Sequence, residues 1–188
     1  AAFSKDGKGF YYARFPAPAE TEKLTARNVN HQVWFHAPGT PQEKDVLVYE
    51  RPDQPEWYFG ADVSEDGRWL VIHAQKGSNP ESVIFVQDLA RAGSKPEPLL
   101  TRMDAAYTFV DVQGDTFLFL TDRNAPRKRV IAVSLSKPEE KDWKEVVPEA
   151  KGTDVLRSAS VVGDRLFAVW MRDVKSAVEV WDLSGKKV

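Results

Sequence analysis

The sequence predicts an all-β fold of repeated four-stranded antiparallel units, the pattern of β-propeller blades. Three observations point there. First, Asp66-Gly67 separates two apolar runs in the stretch from Ala61 to Ile72, and an Asp-Gly pair so placed signals a hairpin, because the turn needs positive φ and glycine supplies it without steric cost. Second, the turn recurs at Asp6-Gly7, Gly114-Asp115 and Gly163-Asp164, so the turn glycines stand 60, 47 and 49 residues apart. A period near 50 with four strand-like segments is the pattern of propeller blades. Third, no segment longer than about ten residues carries helical periodicity, and the continuous apolar runs suit strands buried on both faces.

The units follow in order. The first has its turn at Lys5-Asp6-Gly7-Lys8-Gly9, strands over 10–15, 32–36 and 45–50, and a polar stretch over 16–30 read as a long hairpin loop. Its inner strand, before Phe3, is expected to be missing. Gly7-Lys8-Gly9 carries a Gly-x-Gly, but a dinucleotide site needs a strand-to-helix turn that is not readable here. The second unit is complete, with strands over 57–63, 68–75 and 82–89 and a short outer strand over 98–100. The third has strands over 106–110, 116–121, 129–134 and 143–147. The fourth has strands over 155–162, 165–171 and 177–183, with its outer strand missing. The blades are thus expected at about 1–52, 53–103, 104–150 and 151–188. Four units of about 47 residues account for all 188. Incomplete ends predict an arc cut from a larger ring, since a closed propeller leaves only short, protected sheet edges. A small four-bladed ring whose ends complete each other is the alternative.

Composition narrows the function. The 26 basic and 28 acidic residues give a net charge of −2, which offers nothing to nucleic acid or an anionic membrane. With no cysteine, disulfides, thiolate zinc sites and cysteine nucleophiles are excluded. No apolar run approaches the roughly 20 residues of a membrane-spanning helix, and no secretory signal precedes the first turn. A soluble protein of cytoplasm or periplasm is expected.

Along the chain, in this order, stand Asp6-Gly7-Lys8-Gly9-Phe10-Tyr11-Tyr12, Asn30-His31-Gln32, Pro38-Gly39-Thr40, Asp53-Gln54-Pro55-Glu56-Trp57, Ser64-Glu65-Asp66-Gly67-Arg68, residues 77–89, Val146-Val147-Pro148-Glu149, Arg172-Asp173-Val174-Lys175 and Asp182-Leu183-Ser184-Gly185. In these stretches and their order the chain resembles the propeller domain of the prolyl oligopeptidase family of serine peptidases. The resemblance implies about four blades of a seven-bladed propeller that caps an α/β-hydrolase domain, here absent. It also implies that inner-strand residues and their hairpins face a cavity below the active site. Tyr58 stands where the family has methionine, Gln75 where it has arginine and Ser78 where the mammalian-like form has cysteine. These three are the candidate cavity residues, and their departures imply a pocket of different chemistry.

No catalytic residue, metal ligand or cofactor site is expected. The family's nucleophile would sit in a Gly-x-Ser-x-Gly elbow, and no such pentapeptide occurs. Ser158 and Ser160 alternate along a strand. His31 and His36 are five residues apart on one strand and so face opposite ways. Together with His73 they read as half-buried residues bonded to backbone. Glu65-Asp66 and Glu139-Glu140 read as solvated turn positions. Arg123, Arg127, Lys128 and Arg129 read as a solvated loop, and the six Trp, five Tyr and ten Phe as inter-blade core. The implied partners are peptide substrates of a parent enzyme, the missing blades and the hydrolase domain. The expected function is a non-catalytic propeller segment that gates the access of short peptides to cleavage after proline. The alternative is a stand-alone propeller that binds protein or peptide.

Overall fold

A computed structural model describes residues 1–18, 21, 25 and 27–188. The loop expected over 16–30 therefore falls partly outside the described residues. The chain divides into two compact units, Ala1–Met103 and Asp104–Val188.

The first unit holds two four-stranded antiparallel sheets. One is ordered β1 (Ala2–Phe3), β2 (Phe10–Arg14), β3 (Gln32–His36), β4 (Val46–Glu50), and the other β5 (Trp57–Val63), β6 (Trp69–Lys76), β7 (Ser82–Asp88), β8 (Glu97–Leu100). The inner strand expected to be missing is present in part. Ala2 pairs with Tyr11 and Phe3 with Phe10, because the turn that follows closes a regular hairpin. There the Ser4 N–H donates to the Gly9 carbonyl (2.9 Å), while the Ser4 hydroxyl accepts from the Gly9 N–H (3.0 Å).

The same module closes β5 and β6. The Ser64 N–H donates to the Trp69 carbonyl (2.9 Å), and the buried Ser64 hydroxyl accepts from the Trp69 N–H (2.8 Å). Asp66 accepts from the Arg68 N–H (3.0 Å), as Asp6 does from Lys8 (3.1 Å). Gly7 and Gly67 both sit at φ 74°. The recurring signal is thus a six-residue Ser-x-Asp-Gly module, of which Asp-Gly is half. Side-chain acceptors here take up backbone donors that the ladder cannot.

The faces of these sheets alternate as strand geometry requires. Tyr11 and Val33 of one sheet pack with Phe59, Leu70, Ile72 and Ala74 of the other. On the opposite face of the second sheet lie Tyr58, paired with Gln75, and Gly60, paired with His73.

The second unit holds β9 (Tyr107–Gln113), β10 (Thr116–Thr121), β11 (Arg129–Ser134) and β12 (Lys144–Val147), then a three-stranded sheet of β13 (Val155–Val162), β14 (Arg165–Arg172) and β15 (Lys175–Asp182). Its Gly-Asp turns differ from the Asp-Gly turns above. Gln113 pairs with Thr116 and Val162 with Arg165, leaving two-residue loops with Gly114 at φ 62° and Gly163 at φ 60°. Leu118, Leu120 and Val130 pack with Leu156, Leu166 and Trp170 between the two sheets. One isolated bridge pairs Trp181 with Lys187.

The basic loop is not solvated at its centre. Arg123 donates to Asp104 (2.8 Å) and, through two nitrogens, to Glu140 (2.9 and 3.2 Å). The Arg127 N–H donates to Glu149 (2.7 Å) and the Arg129 guanidinium to Glu145 (3.1 Å). Carboxylates 16 to 22 residues away, brought in by the segment before β9, by β12 and by the segments flanking it, pair Arg123, Arg127 and Arg129 of what reads in sequence as a solvated loop.

A candidate cavity wall on the second sheet

β5 is the first strand of its sheet and, among the described strands, pairs with β6 alone. Tyr58 and Gln75 are directly opposite across that pair, so their side chains share one face. The structure brings these two sequence candidates together. Ser78 lies beyond them, exposed in the turn that joins β6 to β7, where the Asn79 N–H donates to the Lys76 carbonyl (3.3 Å). The half-buried Gln75 amide reaches the Pro80 carbonyl at 3.4 Å.

Tyr58 is 40% exposed, yet its ring has defined neighbours. Phe15 meets it edge-on at 5.6 Å, and His31 lies 5.7 Å away. Phe15 and His31 are themselves 4.5 Å apart, so the three rings form a closed corner. His31 stacks parallel to Phe59 at 6.2 Å, and its Nδ1 accepts the Phe59 N–H at 2.8 Å. The segment before β3 is fixed a second time where the Asn30 N–H donates to the Pro55 carbonyl (2.8 Å). Asn30 itself sits at φ 58°, which asparagine tolerates better than most residues. Sequence reading missed Phe15, His31 and Phe59 as one group. Its only trace was Asn30-His31-Gln32, read as a strand entry.

The other two histidines have other partners. His73 faces Gly60 across the β5–β6 pair; a side chain at Gly60 would land on its ring, and Asp62 lies 3.8 Å from it. His36 Nδ1 is 2.7 Å from Asp45, whose other oxygen accepts from the Tyr12 hydroxyl. His36 therefore bonds a carboxylate, where a backbone partner was expected. Burial pushes the Asp45 carboxyl up, but the bonds from Tyr12 and His36 outweigh it and hold it below the usual carboxylate value.

Burial lowers the protonation range of His31, and of His73 against the opposing pull of Asp62. The unfolded chain therefore takes up protons near the ordinary histidine value of 6.5 while the folded chain does not. Their contribution to stability is complete above that value and falls as pH drops through and below it. A second loss follows at lower pH. Asp6, held at about 2 by its bonds from Lys8, and Asp53, held at about 2 by Arg51, lose their stabilisation only below the ordinary aspartate value of 3.8. Urea midpoints measured between about pH 8 and pH 5 should fall with acid. Substituting both His31 and His73 by asparagine should flatten that part of the curve, and an unchanged slope would refute the assignment.

A family profile described as "Prolyl oligopeptidase, N-terminal beta-propeller domain" matches residues 1–188. The prolyl endopeptidase of Elizabethkingia meningoseptica is 32% identical over 183 residues, covering 96% of this chain and 25% of the relative. The dual-function macrocyclase-peptidase POPB of Galerina marginata is 30% identical over 187 residues, covering 97% of this chain and 25% of the relative. The apo structure of prolyl oligopeptidase B from Galerina marginata superposes with a TM-score of 0.86 at 29% identity, covering 100% of this chain and 26% of that one. The chain spans about a quarter of the length of the relatives it matches. Its antiparallel sheets are propeller blades, and with the profile matched from end to end the chain belongs to the prolyl oligopeptidase N-terminal β-propeller family.

Proposed function

We propose that this chain is the non-catalytic, substrate-gating part of a prolyl oligopeptidase-type serine peptidase that cleaves short peptides after proline. The observation that carries the reading is the family match over the whole chain, combined with its coverage of only a quarter of peptidase relatives. In this reading the four sheets are successive blades, with boundaries at about 1–52, 53–103, 104–150 and 151–188. The remaining blades and an α/β-hydrolase domain belong to the same protein, and the hydrolase domain supplies the nucleophile. The ring restricts entry: extended peptides pass, folded chains do not.

Tyr58, Gln75 and Ser78 line the cavity in this reading. An aromatic face beside a primary amide suits an extended peptide, whose apolar side chains pack on the ring while its backbone bonds the amide. The test is steady-state kinetics of the enzyme that contains this chain, with Tyr58→Ala, Gln75→Ala and Ser78→Ala, on one short and one long proline-containing peptide. A several-fold change in the long-to-short ratio of kcat/KM is expected, largest for Tyr58. Unchanged kinetics on both peptides would remove the cavity assignment.

A further inference from the structure

We propose that His31 is a positioning residue for the cavity wall: as a neutral imidazole it clamps β5 on the side away from β6 and holds the Tyr58 ring at its place on that wall. The inference rests on the reading that Tyr58 faces the cavity.

The geometry dictates the tautomer. A backbone N–H can only donate, so the His31 Nδ1 that receives the Phe59 N–H at 2.8 Å carries no proton, and Nε2 carries it. The bond reaches across 28 residues and lies on the side of β5 away from β6, where no described strand pairs with it. An uncapped donor on such an edge would be open to pairing with another chain.

The same imidazole is one side of the aromatic corner around Tyr58. Phe15 and His31 meet that ring at 5.6 and 5.7 Å. With two-fifths of Tyr58 exposed, these rings hold its orientation. Protonating Nδ1 would set two donors against each other, release the Phe59 N–H and remove one side of the corner. Among the described residues, the groups facing His31 are Phe59 and Tyr58 from β5 and Phe15 from the segment after β2. The titratable one among these is the Tyr58 hydroxyl. Burial keeps the imidazole neutral further into acid than an exposed histidine.

The test begins with imidazole and tyrosine-ring NMR of the enzyme that contains this chain, with histidine and tyrosine selectively labelled, titrated from about pH 8 to about pH 5. The Nε2–H tautomer of His31 is expected at the alkaline end. The Tyr58 ring resonances should then move with the midpoint of His31. The His31→Asn variant keeps an acceptor near the place of Nδ1. It should retain the alkaline Tyr58 resonances and lose their pH dependence, whereas His31→Ala should shift them at every pH. An Nδ1–H tautomer, or Tyr58 resonances unmoved by titration of His31, would overturn the proposal. Should His31→Ala fail to fold, the wild-type titration and His31→Asn decide it. In the enzyme that contains this chain, the long-to-short ratio of KM should drift several-fold with acid in the wild type and stay flat in His31→Asn. An unchanged ratio in Tyr58→Ala would overturn the cavity reading alone, and the NMR arm would still decide the positioning.

Discussion

Replacing Phe119 with alanine is expected to cost about 3–5 kcal/mol of stability, the range for removing a buried phenylalanine. Phe119 is fully buried at the centre of β10. That strand pairs on one side with β9, through Phe109, and on the other with β11, through Ile131. Its ring lies edge-on to Tyr107 at 6.4 Å and Phe109 at 6.1 Å and is stacked with Phe117 at 6.4 Å. Ladders on both sides hold β10 in place, so the walls of the cavity cannot close, and the loss includes the cavity as well as the transfer term. Urea unfolding followed by tryptophan fluorescence measures it. Val178→Ala is the control. It sits on β15 at 61% exposure, where substitutions usually stay within about 0.5 kcal/mol. A difference of less than about 1 kcal/mol between the two variants would contradict the packing described here.

Gly9→Ala is expected to destabilise by about 1–3 kcal/mol, towards the upper end of the range for overpacking. Gly9 is buried, and a Cβ added there would land on the His36 carbonyl oxygen and lie 2.5 Å from the Phe35 ring. The carbonyl belongs to the β2–β3 ladder, where Phe10 opposes His36. Relief would therefore require shifting a hydrogen-bonded strand. The neighbouring Gly7 is a useful contrast. A Cβ there meets nothing within 4 Å, so its constraint is the backbone at φ 74°, worth about 1–2 kcal/mol for an L-residue. Gly60 is a third case, because the group its Cβ would meet is the far end of the His73 side chain, which can swing aside. Thermal midpoints of Gly7→Ala and Gly9→Ala compare the first two directly. Gly9→Ala should lower the midpoint more, and the reverse order would rule out the steric account.

These two sites divide between what could and could not be read in advance. The strand over 116–121 matches β10 residue for residue, and 129–134 matches β11. An apolar run bounded by turn residues is a local signal, and strand identity is settled largely locally. The turn glycines were legible for the same reason, since positive φ is a demand made within one residue. Gly9 was legible only as half of a Gly-x-Gly. The reason for it, a carbonyl 27 positions along the chain, appears once β2 and β3 are in register. The inner strand of the first sheet was missed because two residues give no period.

The candidate site shows the same division. Tyr58 and Gln75 could be named through family resemblance, and their shared face follows from the hairpin register set by the Ser64-to-Trp69 module. The partners of the three histidines could not be named. His31 finds the Phe59 N–H, His36 finds Asp45, and His73 faces Gly60. Arg123 likewise acquires Asp104 and Glu140 from separate segments. The sequence alone determined the all-β class, the phase of the four repeats and the turns between strands, because each rests on residues that are neighbours along the chain. Only the tertiary structure decided which polar groups are spent on the fold and which stay exposed. Those partners lie 9 to 28 positions apart along the chain, and their geometry exists only once the strands are in register and the sheets packed.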